Sequence, residues 1–257
     1  MNVLTGSPWE QIWHNQKDAN GENRWSKQDL WDWIVEHDSN EQAIVNFGLD
    51  GGNDTQTNEL GLVLGHAYSH LGHVTLSDGT RLIKCRNPWG SESYHGPWSD
   101  QSDKWTDAFK KEVNFEANDD GIFFMELSDY YKHVADTTIS FDTSKWHHAY
   151  FLGLNDEVKE GGAFSEHSLT VTSEVAQKVY ISTHTHIIRD QPRECYGNYH
   201  VNKVWQIEGQ DKENYYEPVI HTAVIFEAGQ TKTVDVGFNW DSESELSRDW
   251  SLVAWGT

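Results

Sequence analysis

His66 and Asn87 are the two residues whose types and placement point most directly to chemistry. His66 sits in Gly65-His66-Ala67-Tyr68-Ser69, and Asn87 follows in Arg86-Asn87-Pro88-Trp89-Gly90. An imidazole held by a neutral amide needs one hydrogen bond to fix its tautomer and ring plane, which suits a histidine that must deprotonate a thiol. The pair reads as half of a Cys-His-Asn nucleophilic site.

The elements that must position this pair form a hairpin. Leu71 to Leu76 and Arg81 to Lys84 are runs of strand-forming residues separated by Ser77-Asp78-Gly79-Thr80, and Asp-Gly is a strong hairpin signal. A tight turn centred on Asp78-Gly79, however, pairs Asn87 with His70 and leaves His66 four residues away, about 13 Å at strand rise. A bulge at Gly72 or a wider turn beginning at Leu76 would correct the register, and the sequence does not choose between them.

Further motifs extend the pattern. Gly96-Pro97-Trp98-Ser99-Asp100 follows Asn87, and Asp120-Gly121-Ile122-Phe123-Phe124-Met125 follows that. These four motifs, in this order across some sixty residues, resemble the second catalytic lobe of calpains, the papain-fold intracellular cysteine peptidases. The resemblance implies that His66 is the base, Asn87 its orienting partner, and Trp89 the indole that shields their hydrogen bond. It also implies a nucleophilic cysteine on a first lobe within a Gln-x-x-Gly-x-Cys-Trp pattern. No such pattern occurs here, and Thr5-Gly6 resembles the point where calpains pass from the first lobe to the second.

Calpain second lobes bind calcium through carboxylates, so the resemblance implies Asp100 and Asp120 as ligands. The Glu expected six residues after Asn87 is Ser93, and the Glu expected two after Asp120 is Ile122, which removes two hard oxygen donors. Glu92 and Asp119 are the nearby carboxylates. No cofactor is required by this reading, and calcium is the one candidate.

The two cysteines do not form a disulfide framework, which fits a reducing, intracellular and cytoplasmic setting. Cys85 lies beside Asn87 on a strand, without the helix-terminus field that lowers a thiol pKa, and reads as a buried structural thiol; Cys195 reads the same way. His66, His70 and His73 would share one face of a helix as a zinc site. On a strand His70 shares the face of His66 while His73 points the other way.

Around this hairpin, Ser7-Pro8-Trp9-Glu10 predicts a short helix start, and Ser26 with Asp29 predicts a second helix burying Leu30, Trp33 and Ile34. A strand is expected over Ala43 to Phe47, then a Gly-, Asn- and Asp-rich loop to Glu59. A helix follows from Ser102 to Lys111, a strand over Ile122 to Leu127, and a helix opening at Ser128. After about residue 143 the pattern changes to seven short strand runs separated by turn residues, Ala149 to Leu152, Leu169 to Thr172, Val179 to Thr183, Val201 to Ile207, Val219 to Phe226, Thr231 to Phe238 and Trp250 to Trp255, the signature of an antiparallel β-sandwich. The expected fold is α+β, a papain-like second lobe over 1–143 followed by a β-sandwich over 144–257.

A net charge of −22 argues against nucleic acid and anionic membranes, and no apolar run is long enough to span a bilayer. Acidic stretches at Asp156–Glu160, Glu208–Glu217 and Asp241–Glu245 offer a docking surface to a basic protein partner. Thirteen tryptophans raise a rival reading, a carbohydrate-binding module that stacks indoles on sugar rings. Two functions fit the resemblance: an inactive interaction or scaffold subunit, or part of a working endopeptidase whose cysteine lobe lies upstream or on a separate chain within a larger assembly.

Overall fold

The computed structural model describes residues 6–38, 43–154, 164–185, 202–207, 213–215, 219–240 and 248–256. The chain divides into two compact units, Trp9–Asp142 and the combination of Met1–Pro8 with Thr143–Thr257. Antiparallel sheet dominates both, and the three helices among the described residues belong to the first. The fold is α+β.

The first unit is built on six strands, β1 (Trp9–Trp13), β2 (Ala43–Leu49), β3 (His66–Thr75), β4 (Arg81–Arg86), β5 (Ile122–Glu126) and β6 (Asp136–Phe141). They lie in the order β1-β6-β2-β3-β4-β5, every neighbour antiparallel. The helix expected to start at Ser7-Pro8 is instead strand β1, paired with β6 from Trp9↔Ser140 to Trp13↔Asp136. Five residues make only a marginal helix alone, and a distant partner strand decides the conformation.

Helix α1 (Lys27–Asp38) starts as the sequence predicts. Ser26 Oγ accepts the Asp29 N–H at 3.1 Å, and Asp29 Oδ2 accepts the Ser26 N–H at 2.9 Å, a reciprocal cap. Leu30, Trp31 and Ile34 are its buried residues, with Trp33 only half-buried at the edge of the stripe. Helix α2 (Asp107–Val113) begins later than Ser102, because Thr106 Oγ1 caps it by accepting the Phe109 N–H at 3.2 Å. Helix α3 (Leu127–His133) follows β5 directly.

The sheet carries a core on each face. On one, α1 and α3 join Phe47, Tyr68, Ile83, Cys85, Phe123 and Met125. On the other, Leu82 and Phe124 pack with Leu76, Trp98 and Trp105, against Phe109 of α2. Alternation along β4 and β5 sends Ile83 and Met125 one way and Leu82 and Phe124 the other, as strand geometry requires.

The second unit contains two four-stranded sheets. One orders β11 (Glu213–Tyr215), β10 (Asn202–Ile207), β13 (Gln230–Asn239) and β8 (Phe164–Ser173); the other orders β12 (Val219–Phe226), β9 (Gln177–Thr185), β14 (Trp250–Gly256) and β7 (His147–Gly153). Val234, Val236 and Phe238 from the first sheet share one apolar cluster with Ile181, Phe226, Trp250 and Leu252 from the second. Seven of these eight strands coincide with the expected runs, and β11 was not foreseen. Trp240 and Trp250 are buried in the cluster between the two sheets. The acidic stretches at 156–160 and 241–245, and most of 208–217, lie outside the described residues. Among the described residues no helix is long and apolar enough to cross a membrane.

Candidate active site

His66 opens β3 immediately after Gly65, whose φ of +58° favours glycine. Both of the anticipated register corrections are present. The turn is three residues wide, closed by Leu76 N–H to Thr80 O and Gly79 N–H to Leu76 O at 2.8 Å each. A bulge then separates His70↔Cys85 from Gly72↔Lys84, leaving Leu71 without a partner. Continued past Arg86, this register sets Asn87 opposite Tyr68 rather than His70, two residues from His66 and on its face. The remaining gap is bridged by side chains, and His66 Nε2 lies 3.1 Å from Asn87 Oδ1.

Asn87 is buried at 2% exposure and held on several sides. Its N–H donates to Gly121 O at 2.9 Å, and its own carbonyl accepts the Gly90 N–H at 3.0 Å. Gly121 has φ of +80°, and a Cβ there would stand 2.7 Å from Asn87 O. The Asp120-Gly121 motif is therefore what lets this strand approach the asparagine.

The hydrogen-bond directions follow from chemistry. Trp89 N–H donates to Asn87 Oδ1 at 3.1 Å, and since a backbone N–H can only donate, this identifies the amide oxygen. The same oxygen faces His66 Nε2, so Nε2 carries the proton and Nδ1 keeps the lone pair of the neutral ring. The Trp89 indole lies 4.4 Å from the imidazole, and Tyr68 meets it edge-on at 5.0 Å. Trp89 remains 54% exposed, so the indole that stands against the imidazole also meets solvent.

Neither cysteine completes the site as a described nucleophile. Cys85 is fully buried in the core of the first unit, and burial pushes its thiol well above the ordinary range. Cys195 lies outside the described residues.

The carboxylates expected to hold calcium, Asp100 and Asp120, lie close enough that the charge of Asp120 raises Asp100. Asp120 Oδ1 accepts the Ile122 N–H at 2.9 Å, capping the entry to β5. Asp100 instead faces Glu92, whose N–H donates to Asp119 Oδ1 at 3.0 Å. Burial, then the charges of Asp100 and Asp119, push Glu92 up to about 7. Asp100 is raised by burial first, with Asp120 and Asp119 adding to it. Glu92, Asp100, Asp119 and Asp120 thus form a crowded acidic group whose repulsion a hard cation would relieve.

A second cluster corrects the expected orientation of His73. The bulge opposes His70 to Cys85 and His73 to Ile83, two residues apart on β4, so both histidines share one face. Each reaches Asp38 at the end of α1, at 3.3 Å from His70 Nε2 and 2.6 Å from His73 Nδ1. Alternation without a bulge hides this grouping, and no sequence signal singled out Asp38.

A profile of the family described as calpain family cysteine protease matches residues 1–140, more than half of the chain. The chain belongs to the calpain family. Among curated relatives, the calpain-type cysteine protease DEK1 of Arabidopsis thaliana is 35% identical over 132 residues, covering 51% of this chain and 6% of that protein. Human calpain-14 is 37% identical over 109 residues, covering 40% and 16%. Mouse calpain-5 is 38% identical over 90 residues, covering 30% and 14%. This calpain-family chain therefore matches only a small part of each relative's length. Among solved structures, the infectious bursal disease virus VP2 subviral particle aligns over 83% of this chain and 52% of its own at 9% identity, with a TM-score of 0.22 that carries no argument.

Proposed function

We propose that this calpain-family chain supplies the base half of a cysteine endopeptidase site, its first unit acting as a papain-like second lobe and its second as a β-sandwich. The observation that carries the reading is the His66–Asn87 hydrogen bond, kept in one tautomer by Trp89 N–H, with the Trp89 indole against the imidazole. A lobe retained only for its shape does not need this arrangement.

In the reaction, Nδ1 of His66 takes the proton of a cysteine thiol, and the thiolate attacks the scissile carbonyl carbon. The resulting imidazolium returns its proton to the departing amine as the tetrahedral adduct collapses to a thioester. His66 then deprotonates the water that hydrolyses the thioester. Asn87 accepts from Nε2–H throughout and so orients the ring in both charge states. The thiol and the oxyanion donors come from outside the residues described here, on a lobe of the same polypeptide or of a separate chain. Without them the chain is inactive, because nucleophile and base act as a unit. Asp100 and Asp120 would hold calcium, with Glu92 and Asp119 as the neighbouring carboxylates.

A second reading, an interaction subunit without catalysis, is favoured by the charge of −22, which suits a basic protein partner. Labelling the native protein with an irreversible thiol-directed peptidase inhibitor separates the two. The peptidase reading expects label on a cysteine outside this sequence, in a species or assembly heavier than 29.5 kDa, lost in His66→Ala. A purified species of 29.5 kDa with no labelled companion would leave only the interaction subunit.

A further inference from the structure

We propose that Asp38, His70 and His73 bind a divalent transition cation of the zinc class, at a site separate from His66 and Asn87. Two imidazole nitrogens and one carboxylate oxygen are a borderline-soft donor set of the kind zinc takes, with a fourth position left for solvent. The three ligand atoms already lie within 4.8 Å of one another, and no other group of three such side chains among the described residues meets that spacing.

The burial of His70 makes this more than a surface pair. Its side chain is 0% exposed, and neither ring nitrogen has an aligned hydrogen-bond partner, although Nε2 lies only 3.3 Å from Asp38 Oδ2. A buried imidazole whose Nε2 meets only Asp38, off the hydrogen-bond axis, is costly, and a metal ion at Nε2 would replace that poor contact with a coordinate bond. With metal–ligand distances of about 2.0–2.2 Å, neighbouring donors of a tetrahedral site stand about 3.3–3.6 Å apart. The His70–Asp38 separation fits without movement. The His73–Asp38 contact of 2.6 Å must open by about 0.7–1.0 Å to reach that spacing. Both of those side chains are about one-fifth exposed, at 20% and 22%, and have room to rotate.

The site also has a mechanical logic. It joins the last residue of α1 to the middle of β3, beside the bulge at Leu71. Trp31 packs edge-on against His73 at 5.3 Å and walls one side, while Arg81 lies over that indole at 5.2 Å. A cation here would pin the helix to the strand that begins with His66.

The test uses the full chain, stripped of metal and titrated with Zn²⁺ by calorimetry and native mass spectrometry. One equivalent is expected to bind, to raise the thermal midpoint of the first unit, and to shift the ring resonances of His70 and His73 selectively. His73→Gln and Asp38→Asn, at partly exposed positions that spare the core, should each weaken binding roughly 100-fold or more. His147→Gln, in the second unit, should bind as the parent does. No binding, or binding that survives both site variants, would overturn the proposal. Should either variant unfold, resonances of other histidines shifting in the parent chain would do the same.

Discussion

Acidification should weaken the first unit through His14, a histidine with no catalytic role. His14 follows β1, and its ring is 3% exposed. Nε2 lies 2.8 Å from Thr137 Oγ1, which in turn lies 2.8 Å from the Tyr130 hydroxyl. The ring stacks on Tyr131 at 6.0 Å. Burial lowers its pKa from 6.5 to about 4, and the carbonyls of Tyr131, Tyr130 and Val134 only partly oppose the shift. Between those two values the unfolded chain binds a proton that the folded one refuses. Stability from this group is therefore complete above pH 6.5 and drains away as the pH falls toward 4.

At about 1.36 kcal/mol per pKa unit the loss is about 1.4 kcal/mol by pH 5.5 and about 2.5 kcal/mol by pH 4.5. His14→Gln keeps a side chain that can pair with Thr137 and cannot titrate in this range. The direct measurement is an NMR titration of the imidazole resonances, in which one with a midpoint near 4 should vanish in His14→Gln. The energetic one is amide exchange of peptides from β1 and β6, corrected for intrinsic rates, which reports on this unit without requiring both units to unfold together. The parent should lose protection relative to the variant as the pH drops. A His14 midpoint near 6.5, or parallel losses of protection in the two proteins, would refute the reasoning.

Other outcomes follow from the same contacts. Asn87→Ala removes one neutral hydrogen bond to His66, worth about 0.5–1.5 kcal/mol, so inhibitor labelling of the assembled peptidase should slow roughly 2- to 12-fold. Cys85 should resist alkylation in the native chain and react only on unfolding, and Cys85→Ala should leave that labelling rate unchanged; fast native alkylation would contradict its burial. Gly121→Ala sets a Cβ 2.7 Å from Asn87 O at a positive φ and should cost about 1–3 kcal/mol, read by urea denaturation, while also disturbing the His66 ring resonance.

Much of this was legible because the decisive signals were local. Ser26 and Asp29 cap α1 as their spacing requires, and Asp78-Gly79 sits in the turn between β3 and β4. The runs of the second half became strands because turn residues bound them on both sides. What sequence could not supply depends on distant partners. β1 carries a helix-start motif, yet β6, more than a hundred residues away, makes it a strand. Helix α2 waits for Thr106, since the Trp105 indole donates to Ser99 O at 3.0 Å and ties the preceding segment into turns. Glu92 and Asp119 were legible as carboxylates near the calcium positions, but the hydrogen bond from Glu92 N–H to Asp119 Oδ1 at 3.0 Å exists only once their loops fold together.

The bulge at Leu71 is where these limits matter most, because one extra residue changes two sites at once. It advances Asn87 by one position along β3, toward His66, and with the wider turn brings the pair within hydrogen-bond reach. It also reverses the alternation beyond it, so that His73 joins His70 on the face where Asp38 ends α1. Leu71 itself is 45% exposed, so the core does not demand its side chain. Its place is explained by what the backbone does around it: register on one side of the bulge serves the base and its partner, and parity on the other gathers the three ligands.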